Sequence, residues 1–206
     1  MPRAEALPLP VLDLTAVLFG LSGCLVDFGA RARQAGATPA EHAQPTPGAL
    51  ESLHRLQLQG IPCAWLDELP PTVSHGLAAS LPAWIKPPQL PATNNPWPAP
   101  HACWQALMAL NVQQLDGCVL VSGEPRLLQS GLNAGLWTIG LASCGSLCGL
   151  APGEWQALSE QQREARRAKA TVQMFSLGVH SVIDHLGELD TCLADICQRR
   201  LKGEKP

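Results

Sequence analysis

Charged and aromatic side chains are scarce in this sequence. Only 15% of its 206 residues are charged and 4% are aromatic, and tyrosine is absent. The formal net charge is −3, so no excess of positive charge draws the chain to nucleic acid. A hydrophobic share of 46% argues against a disordered chain, which buries too little apolar surface to fold. We therefore expect a folded chain that does not bind nucleic acid.

Long apolar runs are also missing. No run reaches the roughly 20 residues that span a bilayer, so we expect no membrane association. Leu21-Ser22-Gly23-Cys24 resembles a lipoprotein cleavage box. Acidic and proline residues precede the apolar stretch before it, which is a poor entry for a signal segment. We expect a cytoplasmic protein, and whether this box is ever processed stays open.

The eight cysteines contain no Cys-x-x-Cys pair and no usual zinc-binding spacing. A chain of this length does not need disulfides to fold, so we expect reduced thiols and no metal site built from cysteine.

Short apolar runs alternate with helical patterns. Strands are predicted at 16–21, 61–66, 83–85, 118–121, 137–140 and 181–183. Helices are predicted at 48–60 with Thr46 as N-cap, and at 72–81, 101–110, 125–134, 159–177 and 186–201. Such alternation predicts an α/β fold in one domain over 1–206, with a central parallel sheet flanked by helices. Functional sites in such folds gather at the carboxyl ends of the strands.

Two segments carry a specific resemblance. Residues 16–29 read AVLFGLSGCLVDFG, and residues 131–140 read GLNAGLWTIG. Both are similar to the haloacid dehalogenase superfamily, in the version found in phosphonoacetaldehyde hydrolases. The resemblance implies a three-layer Rossmann-like core, made of a first motif at 15–29 and the rest of the core at 45–202. The family inserts a helical cap after the first motif, whereas residues 30–44 leave room only for a short remnant.

The resemblance also shows that the positions for chemistry are degenerate. The family places an aspartate nucleophile at Gly20 and an alanine at Ser22, a phosphate-binding hydroxyl at Leu66, a basic residue at Trp97, and magnesium-binding acids at Gly123 and Leu127. Glycine offers no nucleophile, and loss of the acids removes the oxygen ligands that Mg²⁺ requires. Glu124 is one residue displaced and is a candidate substitute ligand. The Schiff-base lysine of the cap also has no counterpart among Lys86, Lys169, Lys202 and Lys205.

Three hypotheses follow. The first is a non-catalytic scaffold that holds no Mg²⁺ and binds a small anion or a protein partner, with its oligomeric state open. The second is a hydrolase with rewired chemistry on a phosphate or phosphonate compound, using Cys24 or Ser22 as nucleophile with help from Asp27 or Asp67. The third, compatible with the first, is anion binding by backbone N–H groups of two turns, Ser22-Gly23 and Ser122-Gly123.

Overall fold

The computed structural model describes residues 13–33, 42–88 and 95–206. Within them, one parallel sheet has the strand order β2-β1-β3-β4-β5. Its strands are β1 Ala16–Gly20, β2 Cys63–Leu66, β3 Cys118–Ser122, β4 Trp137–Leu141 and β5 Ser181–Ile183. Residues of β1 to β4 are buried throughout, as expected of strands covered on both faces. The predicted parallel sheet is confirmed.

Helices cover both faces of this sheet. They are α1 Ala49–Leu58, α2 Pro71–Leu77, α3 His101–Ala109, α4 Pro125–Asn133, α5 Pro152–Ala157, α6 Glu160–Ser176 and α7 Leu189–Leu201. Alternate residues of β1 belong to two separate cores: Val17 packs in the core that holds α1 and α7, and Leu18 in the core that holds α3 and α4. The predicted three-layer arrangement is therefore confirmed.

The chain changes direction across the sheet between β1 and β3. From β1 it first runs to β2 on one side, and the later strands then build outward on the other side. Ligands of open parallel sheets bind where the strand order reverses, in the crevice at the carboxyl ends. Gly20 and Ser122 end β1 and β3 at this point, so the fold puts the degenerate motifs at the expected place.

Two local predictions are wrong. Residues 83–85 do not form a strand, and only an isolated bridge joins Ala64 to Lys86. Prolines 82, 87 and 88 surround this stretch and cannot donate to a ladder. Thr46 is not the N-cap of α1. Gly48, at φ 81°, takes that position, and the Thr46 hydroxyl donates to the carbonyl of Cys24 instead.

One helix was not predicted, and another begins at a different residue than predicted. The patterns did not predict α5, and the last predicted helix begins with a separate 3-10 turn at Leu186–Glu188. The lipobox-like stretch follows β1 directly, and its Leu21 and Cys24 are completely buried. Of the predicted cap remnant, residues 34–41 lie outside the described residues. In the described part of the chain, no helix is long and apolar enough to cross a membrane.

Candidate functional site

Gly20 lies where the end of β1 comes very close to β3. A Cβ atom added to Gly20 would stand 2.7 Å from Ser122 Oγ and 3.4 Å from Leu127 Cδ2. The Ser122 hydroxyl is held in place because it accepts a hydrogen bond from the Glu124 N–H at 3.0 Å. A serine of the neighbouring strand therefore occupies the space into which a side chain at position 20 would project.

Apolar side chains fill the rest of this site, here called the degenerate centre and defined by Gly20, Leu66, Trp97, Ser122 and Leu127. Leu66, Trp97 and Leu127 are at most 4% exposed. The space left between the residues that line the centre is about 10 Å³, which is about the room that one water molecule needs. A phosphoryl group does not fit into the centre in this arrangement.

Charged groups hold the backbone of Trp97 in place. The Trp97 N–H donates to Glu68 Oε1 at 2.5 Å, and the Trp97 carbonyl accepts from the Arg126 guanidinium. Arg126 and Glu68 form an ion pair at 3.2 Å. Sequence reasoning missed both residues, because neither stands in a recognisable motif. Arg126 is a cation near the centre, but its guanidinium binds Glu68 and the Trp97 carbonyl.

The loops that follow β1, β3 and β4 pack backbone against backbone. A Cβ atom on Gly123 would stand 2.3 Å from the Gly23 carbonyl oxygen and 2.4 Å from Gly145 Cα. Real Cβ atoms do not approach other atoms so closely, so any side chain at position 123 requires the loops to separate. The backbone thus closes the position at which the resemblance implies a magnesium-binding acid.

Two carboxylates are among the described residues that line the centre, and both accept hydrogen bonds from backbone N–H groups. Asp67 accepts from Ser22 N at 3.1 Å and from Leu69 N at 2.8 Å. Glu124 accepts from Arg126 N at 3.3 Å and so caps the start of α4. Among the residues that the structure describes, no three His, Cys, Asp or Glu side chains are grouped to hold a metal ion.

The first of the two predicted anion-binding turns has its donors engaged. The Ser22 N–H donates to Asp67, and the Gly23 N–H donates to the carbonyls of Val26 and Asp27 at 2.9 and 3.1 Å. In the second turn, the Ser122 hydroxyl accepts from Glu124 N. An anion at the first turn would have to displace the Asp67 carboxylate.

Asp27 is buried and ties together the loop after β1. Its carboxylate accepts from the Ser22 hydroxyl at 2.6 Å and from two backbone N–H groups, those of residues 31 and 32. His42 Nδ1 lies 3.1 Å from Asp27 Oδ1, whereas the Ser22 hydroxyl binds Asp27 Oδ2. In a serine hydrolase triad the histidine contacts the serine, whereas here the aspartate separates them. Ser22 therefore has no histidine base in this contact.

Cys24 is completely buried. Its thiol donates to the Val121 carbonyl at 3.4 Å. Burial, assisted by the nearby Cys144, raises the pKa of the Cys24 thiol well above its ordinary value. The thiolate is the nucleophilic form of cysteine, so this environment suppresses the reactivity that the second hypothesis needs.

Comparison with known proteins relates the chain to one group of hydrolases. The chain is 31% identical to phosphonoacetaldehyde hydrolase of Bordetella pertussis over 176 residues, which cover 81% of this chain and 62% of the relative. The enzyme of the same name from Vibrio cholerae O1 is 32% identical over 82% of this chain and 65% of the relative. A solved phosphonoacetaldehyde hydrolase-like protein from Oleispira antarctica is 23% identical and superposes over both whole chains with a TM-score of 0.84.

The chain is related to the phosphonoacetaldehyde hydrolases and has the fold of haloacid dehalogenase-type hydrolases. A HAD family hydrolase from Deinococcus radiodurans shares the fold at 18% identity, with a TM-score of 0.59 over 89% of this chain and 96% of the other. No family model matches the chain. The chain spans less than two thirds of the length of the curated phosphonoacetaldehyde hydrolases quoted above. Their activity is thus a property of proteins that contain more than this chain.

Proposed function

We propose that this chain is a non-catalytic member of the superfamily, a scaffold that binds a small anion or a protein partner. The observation that carries the proposal is the filled degenerate centre. Gly20 supplies no nucleophile, the Ser122 hydroxyl stands where a side chain at position 20 would begin, and about 10 Å³ remains. Neither the reagent nor the room for phosphoryl transfer is available there.

The donors around the centre also fit Mg²⁺ poorly. This ion requires an octahedral set of oxygen ligands. Gly123 and Leu127 stand at the positions where the family has its magnesium-binding acids. The carboxylates of Asp67 and Glu124 accept hydrogen bonds from backbone N–H groups instead. The proposed function therefore involves no metal ion.

The rewired hydrolase draws little support from the same residues. Cys24 is buried with a raised pKa, and the Ser22 hydroxyl is bonded to a carboxylate shared with other donors. The cytoplasm is the proposed place of action, because free thiols suit a reducing compartment.

A turnover assay tests the proposal. The purified chain is incubated with Mg²⁺ and phosphonoacetaldehyde, or with p-nitrophenyl phosphate, and the release of phosphate, acetaldehyde or nitrophenol is measured. An active phosphonoacetaldehyde hydrolase and its nucleophile-to-glycine variant set the upper and lower limits. We expect rates no higher than those of the glycine variant. Turnover that is lost in Ser22→Ala or Asp67→Asn would overturn the proposal.

A further inference from the structure

A second and much larger cavity lies beside the degenerate centre. Its volume is about 460 Å³, within the range of roughly 300–1,000 Å³ that is typical of small-molecule sites. Residues after β1, β4 and β5 form its floor, and α5 and the first turns of α6 form its roof. We call it the α5–α6 cavity. The described residues that line it include none of those that line the degenerate centre.

One wall of the α5–α6 cavity is aromatic. The rings of Phe28 and Trp155 lie 6.2 Å apart at an angle of 54°, and both residues are only partly buried. The ion pair between Arg31 and Glu154, at 2.9 Å, joins the loop that carries Phe28 to the helix that carries Trp155. These contacts hold two apolar surfaces open to the cavity, where a flat apolar group can pack against them.

The opposite side carries two arginines, one helical turn apart on α6. Arg167 already binds three carboxylates: Glu160 at 2.8 Å, Glu164 at 2.5 Å and Asp184 at 3.3 Å. Among the described residues, Arg163 forms one ion pair, with the exposed Glu160 at 3.3 Å. The Nε–H of Arg163 is buried, and none of the residues that the structure describes supplies an acceptor for it. Arg163 lines the cavity and pairs with fewer of the described carboxylates than Arg167 does, so it is the arginine better placed to bind an anionic group.

A histidine adds another donor to the same cavity. His185 lines it, and its Nδ1 accepts from Gly187 N at 3.1 Å. The neutral ring therefore carries its proton on Nε2, which can donate to a ligand. Among the described lining residues, Asp184 is the only acid, and it contacts Arg167. Glu160 and Glu164, which pair with the two arginines, are not among the residues that line the cavity.

We infer that the α5–α6 cavity binds a small organic anion with a flat apolar body. The anionic group binds Arg163 and His185, and the apolar body packs against Phe28 and Trp155. This site goes beyond the proposed scaffold role, because binding there does not depend on whether the degenerate centre lacks catalytic activity.

Binding of phenyl phosphate to the full chain tests the inference. Calorimetric titration is run with phenyl phosphate, with inorganic phosphate, which lacks the ring, and with benzyl alcohol, which lacks the charge. We expect saturable 1:1 binding of phenyl phosphate that is at least about 10-fold tighter than that of either control. Equal affinity for phenyl phosphate and inorganic phosphate would indicate a non-specific anion effect and overturn the inference.

Two charge-matched variants locate the site. Arg163→Gln removes the cation that lines the cavity, and we expect it to weaken phenyl phosphate binding at least about 10-fold. Arg166→Gln makes the same change at an exposed position of α6 that is not among the cavity residues, and we expect unchanged binding. Equal weakening in both variants, with both folded by circular dichroism, would contradict the assignment to this cavity.

Phenol release in the same samples separates this inference from the proposed function. Turnover of phenyl phosphate would overturn the non-catalytic proposal and leave binding at the cavity to be judged by the variants. Absence of binding would overturn the inference and leave the proposed scaffold role in place.

Discussion

The degenerate centre and the α5–α6 cavity lie at the same end of one sheet, yet one is filled and the other is open. About 10 Å³ remains in the centre, against about 460 Å³ in the cavity. The centre is closed by Leu66, Trp97 and Leu127, whereas the cavity is bordered by partly exposed aromatic and basic side chains. At the carboxyl end of the sheet, the space is therefore filled at the degenerate centre and open at the α5–α6 cavity.

The difference depends on what surrounds two glycines of the centre and its loops. Glycines at 20 and 123 let neighbouring groups move in: the Ser122 hydroxyl at one position, and the loop backbones of Gly23 and Gly145 at the other. Restoring an acid at either position would therefore meet occupied space. A close-packed region resists such insertion, because extra atoms force side chains or backbone to shift.

The largest expected effect compares two tryptophans, one in each region. Trp97→Ala removes a side chain that is 4% exposed from the packed centre, and we expect a loss of about 3–5 kcal/mol in the free energy of unfolding. Trp155→Ala removes a partly exposed wall of the open cavity and should cost about 1 kcal/mol or less. Urea denaturation followed by circular dichroism measures both. Similar costs for the two variants would show that the centre is no better packed than the cavity.

A smaller effect is expected from one added methyl group. Gly123→Ala would place its Cβ within 2.4 Å of backbone atoms of two other loops, and we expect it to destabilise the fold by about 1–3 kcal/mol. The same change in α5, Gly153→Ala, meets nothing within 4 Å. We expect this control to be neutral or slightly stabilising, because alanine favours helix more than glycine does.

Thermal unfolding of both glycine variants checks this pair. A Gly123→Ala protein that is as stable as Gly153→Ala would mean that the three loops separate easily, and that the magnesium position is closed less tightly than the structure indicates.

The sequence predicts the strands of the sheet better than it predicts how the degenerate centre is filled. Continuous apolar runs such as 16–21 predict buried parallel strands, because such strands are covered on both faces. Gly20, Gly123 and Leu127 are recognisable from the resemblance alone. That resemblance also brings the degenerate positions to the carboxyl end of the sheet, where the structure has them.

Long-range contacts are what sequence reasoning could not predict. The approach of Gly23, Gly123 and Gly145 joins loops that are far apart in the chain, and no local pattern encodes it. The α5–α6 cavity likewise depends on α5, whose six residues are too few for a periodic pattern to be recognised. The error at 83–85 has the opposite cause: a short apolar run predicts a strand, but the neighbouring prolines prevent a ladder.

The last expected effect is a difference in reaction rate between two thiols, one of them buried beside the degenerate centre. Cys24 is completely buried beside the centre with a raised pKa, whereas Cys197 is partly exposed, although burial raises its pKa as well. Thiol reagents attack the thiolate. At neutral pH we expect Cys24 to be labelled at least about 100-fold more slowly than Cys197, because its labelling must await an opening of the fold.

Labelling by iodoacetamide followed by peptide mass spectrometry measures both rates, and Cys197→Ser removes the fast site without changing the slow one. Since unfolding exposes both thiols, the difference should disappear in denaturant. Rapid labelling of Cys24 in the native protein would show a thiol that reagents can reach, and would make a cysteine nucleophile in this region a serious alternative again.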